Sequence, residues 1–255
     1  MNKRKKIVEL KNISKRFHTL EKETLAVDDV SFDIYEREFL TIIGPSGCGK
    51  STVFSLISGL IKPSYGKIYI NGRTQNPLVA YMLQQDYLLD WRTVEQNVVL
   101  GLEVKKTLSS ETSEYTKNLL KIYGLGKFLN HHPNQLSGGM RQKVALIRTL
   151  AIKPEILLLD EPFSALDYQT RLSISEEIRE IIKKEKKTAI LITHDISEAI
   201  SLSDRVVVFS NRPSKVKKII NVEYPEKNLT QSEKRKCKCF NEYFEMTWKE
   251  LTENE

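Results

Sequence analysis

Short apolar runs, each closed by a turn, dominate the first third of the chain. They are Ile7 to Leu10, Leu25 to Val27, Val30 to Ile34 and Phe39 to Ile43, and each reads as a strand. Together they predict a small β-rich layer. Ser51 to Ser58 has a helical pattern, with Val53, Phe54, Leu56 and Ile57 available for packing. Gly66 to Gly72 reads as a strand between two glycine turns, and Val79 to Leu83 as another apolar strand. From Thr93 to about Thr149 the period lengthens to that of helices: Val94, Val98, Val99 and Leu102, then Tyr115, Leu119, Leu120, Ile122 and Tyr123. This predicts a helical subdomain inserted into an α/β core. Ile156 to Leu159, Ala189 to Ile192 and Val206 to Ser210 return to strand length. Thr170 to Lys184 is a helix suited to the crossover between two parallel strands. The last forty or so residues are polar and rich in lysine. Phe240, Tyr243, Phe244, Trp248 and Leu251 nevertheless mark a terminal amphipathic helix.

Composition narrows the class. The 255 residues are 40% hydrophobic and 29% charged, as in ordinary globular domains, and suffice for one large domain or a domain with a subdomain. No apolar run approaches a membrane span. The basic start, Met1 to Lys6, lacks a following apolar stretch and cleavage site, so a cytosolic protein is expected. Three cysteines make no disulfide framework, and Cys237 and Cys239 have no neighbouring ligands for a zinc site. The net charge of +7 permits nucleic acid or anionic lipid as a partner. The lysines are scattered along the sequence, however, and read as a solvated surface; no nucleic-acid partner is expected.

The chemistry begins at Gly44-Pro45-Ser46-Gly47-Cys48-Gly49-Lys50-Ser51-Thr52, which fits G-x-x-x-x-G-K-[ST] between a strand and a helix. Glycines let successive N–H groups converge on an anion, and the helix N-terminus adds partial positive charge at the same point. Lys50 is placed to reach β- and γ-phosphates, and Ser51 to ligate Mg²⁺. Ile156 to Leu159 ends in Asp160 and Glu161. A buried strand ejects polar residues at its carboxyl end, where α/β folds bind ligands. Asp160 is placed to orient Mg²⁺, and Glu161 to act as general base on an attacking water. Ser137-Gly138-Gly139-Met140 opens a helical run and offers a hydroxyl and free N–H groups to a second phosphate edge.

The order phosphate loop, Leu136 to Met140, Leu157 to Pro162, Ser164-Ala165-Leu166-Asp167, then His194 resembles the nucleotide-binding subunit of ATP-binding cassette (ABC) transporters. The resemblance runs from about residue 6 to 215. It implies an α/β P-loop NTPase core with an antiparallel β subdomain and an inserted helical subdomain. The cassette would occupy residues 1–215, its helical subdomain about 86–150, and residues 216–255 a C-terminal extension helical at its end. ATP and Mg²⁺ are the implied cofactors. Phe17 resembles the aromatic residue on which adenine stacks. Gln84 resembles the glutamine that contacts Mg²⁺ and the attacking water. Ser137, Gly138, Gly139 and Met140 resemble the signature that caps the γ-phosphate bound to the partner subunit. Met140 departs from the usual glutamine, but the phosphate contacts come mainly from Ser137 and the glycine backbone. Ser164 to Asp167 resembles the loop that crosses the dimer, and His194 the histidine that senses the γ-phosphate.

The family architecture implies a homodimer around two ATP molecules, driving separate integral membrane permease subunits from the cytoplasmic face. An importer of this kind also works with an extracellular solute-binding protein. The pattern Leu89-Asp90-Trp91-Arg92-Thr93-Val94-Glu95-Gln96-Asn97-Val98, with the Arg212-Pro213-Ser214 turn and the Trp248 to Leu251 ending, is similar to the nitrate, sulfonate and taurine importer branch. Related members of that branch carry thiamine precursors or riboflavin. Tyr87 to Trp91 are the expected permease contact. An exporter or a non-transport mechanical ATPase of the same superfamily stays open as an alternative. The long coiled coil of a chromosome-organising ATPase and the tandem cassettes of a ribosome-associated one are missing. A small-molecule kinase would share the phosphate loop without needing Ser137 to Gly139.

Overall fold

Two long strands, β1 (Lys6–His18) and β2 (Glu23–Tyr35), pair antiparallel, and β1 also pairs antiparallel with β4 (Tyr65–Ile70), giving the order β2-β1-β4. This computed structural model describes residues 5–18, 22–73, 79–226 and 229–253; the basic residues 1–4 lie outside them. The sequence reads β1 as four residues and divides β2 in two. Both are longer because they are bulged. Asn12 and Asp29 sit at φ 50° and 51°, and the register shifts on either side of Ile13. Side chains take over where the ladder breaks. The Asn12 N–H donates to Ser31 Oγ (2.7 Å), the Asp29 N–H to Ser14 Oγ (3.0 Å), and Asn12 Nδ2 to Asp29 Oδ1 (2.8 Å). A bulge reverses the side-chain alternation, so the apolar pattern fragments although the strand continues.

The chain divides into two compact units, Met1–Pro77 with Thr188–Glu255, and Leu78–Lys187. The first holds a sheet in the order β7-β3-β8-β9, formed by β7 (Thr188–Ile192), β3 (Phe39–Ile43), β8 (Arg205–Phe209) and β9 (Val216–Asn221). β3 pairs parallel with β7 and β8, and all three are buried along their whole length, which is why they read as continuous apolar runs. β9 runs antiparallel to β8 and is not legible in the sequence: Lys217 and Lys218 stand in it. Lysines of this kind blunt an exposed edge strand.

Helices complete this unit. α1 (Lys50–Ile57) follows β3, and α6 (Ile196–Leu202) follows β7. α7 (Gln231–Lys236) leads into α8 (Lys238–Thr252). α8 carries the aromatic run: Phe240 is buried with Ile196, Ile200, Val206, Val208 and Ile220, and Tyr243, Phe244 and Leu251 pack against that cluster. Trp248 stacks on Phe244, with ring centroids 6.3 Å apart.

In the second unit β5 (Val79–Met82) and β6 (Ile156–Asp160) pair parallel. Around them are α2 (Val94–Val104), α3 (Ser110–Ile122), α4 (Gly138–Ala151) and α5 (Tyr168–Lys184). Thr93 caps α2 in a capping box with Gln96, which fixes where the helix begins. α3 buries Thr116, Leu119 and Leu120, whereas Ile122 is 69% exposed. Tyr123 closes that face instead, its hydroxyl donating to Glu185 (2.6 Å).

Candidate nucleotide-binding site

The phosphate loop turns directly out of β3. Gly47 (φ 72°) and Gly49 (φ 125°) hold conformations that L side chains rarely adopt. At Gly49 space is also missing: a Cβ would lie 2.9 Å from both the Ala26 carbonyl oxygen and Ser214 Oγ. Lys50 is the first residue of α1, and its ammonium is turned back onto the loop. Nζ donates to the carbonyl oxygens of Gly44 (2.8 Å) and Pro45 (2.9 Å). It is 7% exposed, so the charge is held in the bend of the loop. Ser46, Gly47 and Ser51 are exposed, and Thr52 is half-buried. Cys48 is buried, and burial pushes its thiol up against the opposing effect of Lys50.

A second segment braces this loop from 165 residues away in sequence: Arg212 Nη2 donates to the Gly47 carbonyl (3.0 Å). Two residues on, Ser214 is fully buried. Its N–H donates to the Ala26 carbonyl (3.0 Å), and its own carbonyl accepts from the Asp28 N–H (3.0 Å). The sequence marks this turn only as a likeness and hides the bracing, because nothing local announces a contact across such a separation.

Phe17 and His194 belong to the same unit. Phe17 lies near the end of β1, 39% exposed, with the Lys15 ammonium 5.2 Å from its ring centroid. His194 follows β7 and is exposed, between buried Thr193 and half-buried Asp195. Asp195 caps α6, its carboxylate accepting from the Glu198 N–H (3.0 Å).

In the other unit β6 delivers Asp160 and Glu161. The Tyr81 hydroxyl on β5 donates to Asp160 Oδ2 (2.8 Å), and burial together with that carboxylate pushes the phenol up. Sequence reasoning misses Tyr81; the only available signal is a lone hydroxyl within an apolar strand. Glu161 stands at φ 45°, a left-handed conformation that is uncommon for a non-glycine residue. Its carbonyl accepts from the Ser164 N–H (3.2 Å) and Oγ (2.9 Å), and Gln84 Nε2 donates to the same Oγ (3.3 Å). Gln84, Glu161 and Ser164 are thus brought together. Among the described residues no group of three or more His, Cys, Asp or Glu could hold a metal alone.

Ser137 caps α4, its Oγ accepting from the Met140 N–H (3.3 Å). Ser137 is exposed, Gly138 and Met140 are half-buried, and Gly139 is buried. A Cβ on Gly138 would lie 3.1 Å from Leu166, and one on Gly139 2.7 Å from Ile174. A side chain at Gly139 would press hard on Ile174, and one at Gly138 would require Leu166 to give way. Ala165 is exposed and Leu166 buried; Asp167 caps α5, and its hydrogen bond from Thr170 holds its carboxyl below the usual range.

The segment after Gln84 is held from two helices. Arg141 Nε on α4 donates to Asp86 Oδ2 (3.1 Å), and Arg148 Nη1 to the Tyr87 carbonyl (2.8 Å). Asn97 on α2 is fully buried. Its amide contacts the carbonyls of Leu89 (3.1 Å), Arg92 (3.2 Å) and Thr93 (3.0 Å), and its Oδ1 accepts from the Leu89 N–H (2.7 Å). Pinned in this way, the segment leaves Tyr87 57% and Trp91 75% exposed.

Over residues 27–164 the chain matches the family model described as ABC transporter. It is similar to the uncharacterized ABC transporter ATP-binding protein YtlC of Bacillus subtilis (strain 168), 43% identical over 243 residues and covering 94% of each chain. It is also similar to the nitrate transport protein NasD of Klebsiella oxytoca, 40% identical over 228 residues and 87% of each chain. Among solved structures it resembles the dimeric post-hydrolysis state of the ATP-binding cassette MJ0796 bound to ADP and Pi. The TM-score is 0.72 at 33% identity, over 86% of this chain and 100% of that one.

Proposed function

This chain belongs to the ABC transporter family, and we propose that it is the ATP-hydrolysing subunit of an importer for a nitrate-, sulfonate- or taurine-type solute. The observation that carries this reading is the likeness to the nitrate transport protein NasD along 87% of both chains. No helix among the described residues is long and apolar enough to cross a membrane. The pore would therefore be formed by separate permease subunits, with this chain on the cytoplasmic face and a solute-binding protein outside.

Each residue then has a role. Residues 44–52 take the triphosphate, and Lys50 exchanges the Gly44 and Pro45 carbonyls for phosphate oxygens. Phe17 stacks on adenine. Ser51, Asp160 and Gln84 are the residues that would hold Mg²⁺, and when bound it would neutralise charge on the phosphates. Glu161 takes the proton of the attacking water, and its left-handed backbone supports that role, since strained positions cluster at working sites. His194 contacts the γ-phosphate. Ser137, Gly138, Gly139 and Met140 reach the ATP of a second copy, with Ser164 to Asp167 also crossing the dimer. Donors supplied in trans to a phosphoryl group stabilise developing charge strongly. ATP thereby favours the closed dimer, and hydrolysis releases it. Tyr87 and Trp91 are the surface that receives the permease.

The test is copurification from detergent-solubilised membranes with this chain as bait. Recovery of an integral permease together with a solute-binding protein is expected. A permease recovered without any binding protein would favour an exporter. Recovery of soluble complexes alone would overturn the transport reading.

A further inference from the structure

Beside the phosphate loop lies a cavity of about 290 Å³, walled by the segment Phe209 to Lys217 and the last turn of α8. We propose that this cavity binds a small organic carboxylate and couples it to the phosphate loop through Arg212. Its chemistry is asymmetric. Leu251 gives it an apolar wall, and Arg212, Lys215 and Lys217 line it with positive charge. The acidic residues at its rim are already matched: Glu250 pairs with Lys218 (2.9 Å) and Glu253 with Lys249 (3.6 Å). Lys217 is committed to the end of α8, donating to the carbonyls of Glu250 (2.8 Å) and Glu253 (2.7 Å). Lys215 pairs with Asp28 (3.2 Å). Arg212 spends one N–H on the Gly47 carbonyl and keeps the rest of its five-donor fork for a ligand. A guanidinium with open donors beside an apolar wall recognises a carboxylate in bidentate fashion, with the ligand's short carbon body on the wall.

The coupling follows from the same side chain. Arg212 holds Gly47 in place, so a carboxylate that draws on its guanidinium loosens the phosphate loop. Binding at the two sites is then mutually weakening, by equal factors in both directions. This half of the proposal rests on residues 44–52 being the nucleotide site; carboxylate binding does not.

The experiment is calorimetry of the full chain with glutarate as the probe, alone and with ATP. Glutarate is expected to bind. Arg212→Ala should weaken it roughly tenfold or more, as loss of charge-assisted hydrogen bonds implies. Lys215→Ala should weaken it by a smaller factor, and each variant's melting temperature checks that it is folded. Lys50→Ala should leave glutarate binding intact. Saturating glutarate should weaken ATP binding in the natural chain and not in Arg212→Ala. Glutarate binding that survives Arg212→Ala but is lost in Lys50→Ala would place the carboxylate in the phosphate loop and overturn the proposal. Silence at all glutarate concentrations with ATP binding intact would also overturn it. Failure of ATP binding alone would sink the nucleotide reading while leaving the Arg212 site standing.

Discussion

Gly47 and Gly49 line the same loop but respond differently to a side chain. At Gly47 a Cβ meets nothing within 4 Å, so alanine costs only the left-handed backbone, about 1–2 kcal/mol. At Gly49 the backbone is further from any region open to alanine, and the Cβ would also press on the Ala26 carbonyl and Ser214. Gly49→Ala is expected to cost about 1–3 kcal/mol more than Gly47→Ala, since overpacking adds to the strain. Parallel urea melts compare the two, and equal midpoints would refute the ordering. Lys50→Ala removes charge-assisted bonds of about 1.5–3 kcal/mol each, so ATP affinity should fall roughly tenfold or more. Retained affinity in a titration would sink its assignment as the phosphate ligand. These residues are legible in the sequence because the loop is nine consecutive residues whose spacing is itself the geometry. Arg212, Ser214 and Tyr81 are not, since each acts on a partner brought near only by the fold.

At the scale of elements, α2 and α4 share the task of shaping residues 86–93. α4 begins at Ser137 and grips this segment further along its length through Arg141 and Arg148. α2 grips it through Asn97. Helix periodicity announces both helices, but it marks Asn97 only as a polar residue in an apolar helix. Its meaning lies in the Leu89 N–H and the Arg92 carbonyl, which it pairs across the loop. Asn97→Ala strands the Leu89 N–H and the Arg92 carbonyl, whereas the Leu89 and Thr93 carbonyls keep backbone donors, and each buried orphan costs about 1–3 kcal/mol unless water reaches it. The variant should therefore melt at clearly lower urea while ATP affinity changes little, because residues 44–52 are untouched. An unchanged midpoint would show that the loop does not depend on this amide. The bulged β1 and β2 carry the opposite lesson. There the elements are present, but Asn12 and Asp29 break the alternation by which strands are recognised.

For the molecule as a whole, the decisive question is whether ATP joins two copies. The residues proposed to handle nucleotide are found in both compact units: Phe17, residues 44–52 and His194 in one; Gln84, Ser137, Asp160 and Glu161 in the other. Motif order along the chain is what allows that set to be proposed from the sequence, since each motif is short and local. The resemblance to a dimeric cassette makes a dimer the state to test. Glu161→Gln is the sharpest probe, because an amide keeps the shape of the carboxylate but cannot take a proton from water. Removing a general base costs about 10²–10⁴-fold in rate, so turnover should fall into that range while ATP still binds. Without hydrolysis nothing releases the closed state, and closure persists as long as ATP favours it. Gel filtration with ATP and Mg²⁺ should then move this variant from monomer to dimer, and adding Ser137→Arg to the same chain should return it to monomer. A Glu161→Gln protein that binds ATP and stays monomeric would leave the cassette's ATP chemistry in place and remove the dimer from the mechanism.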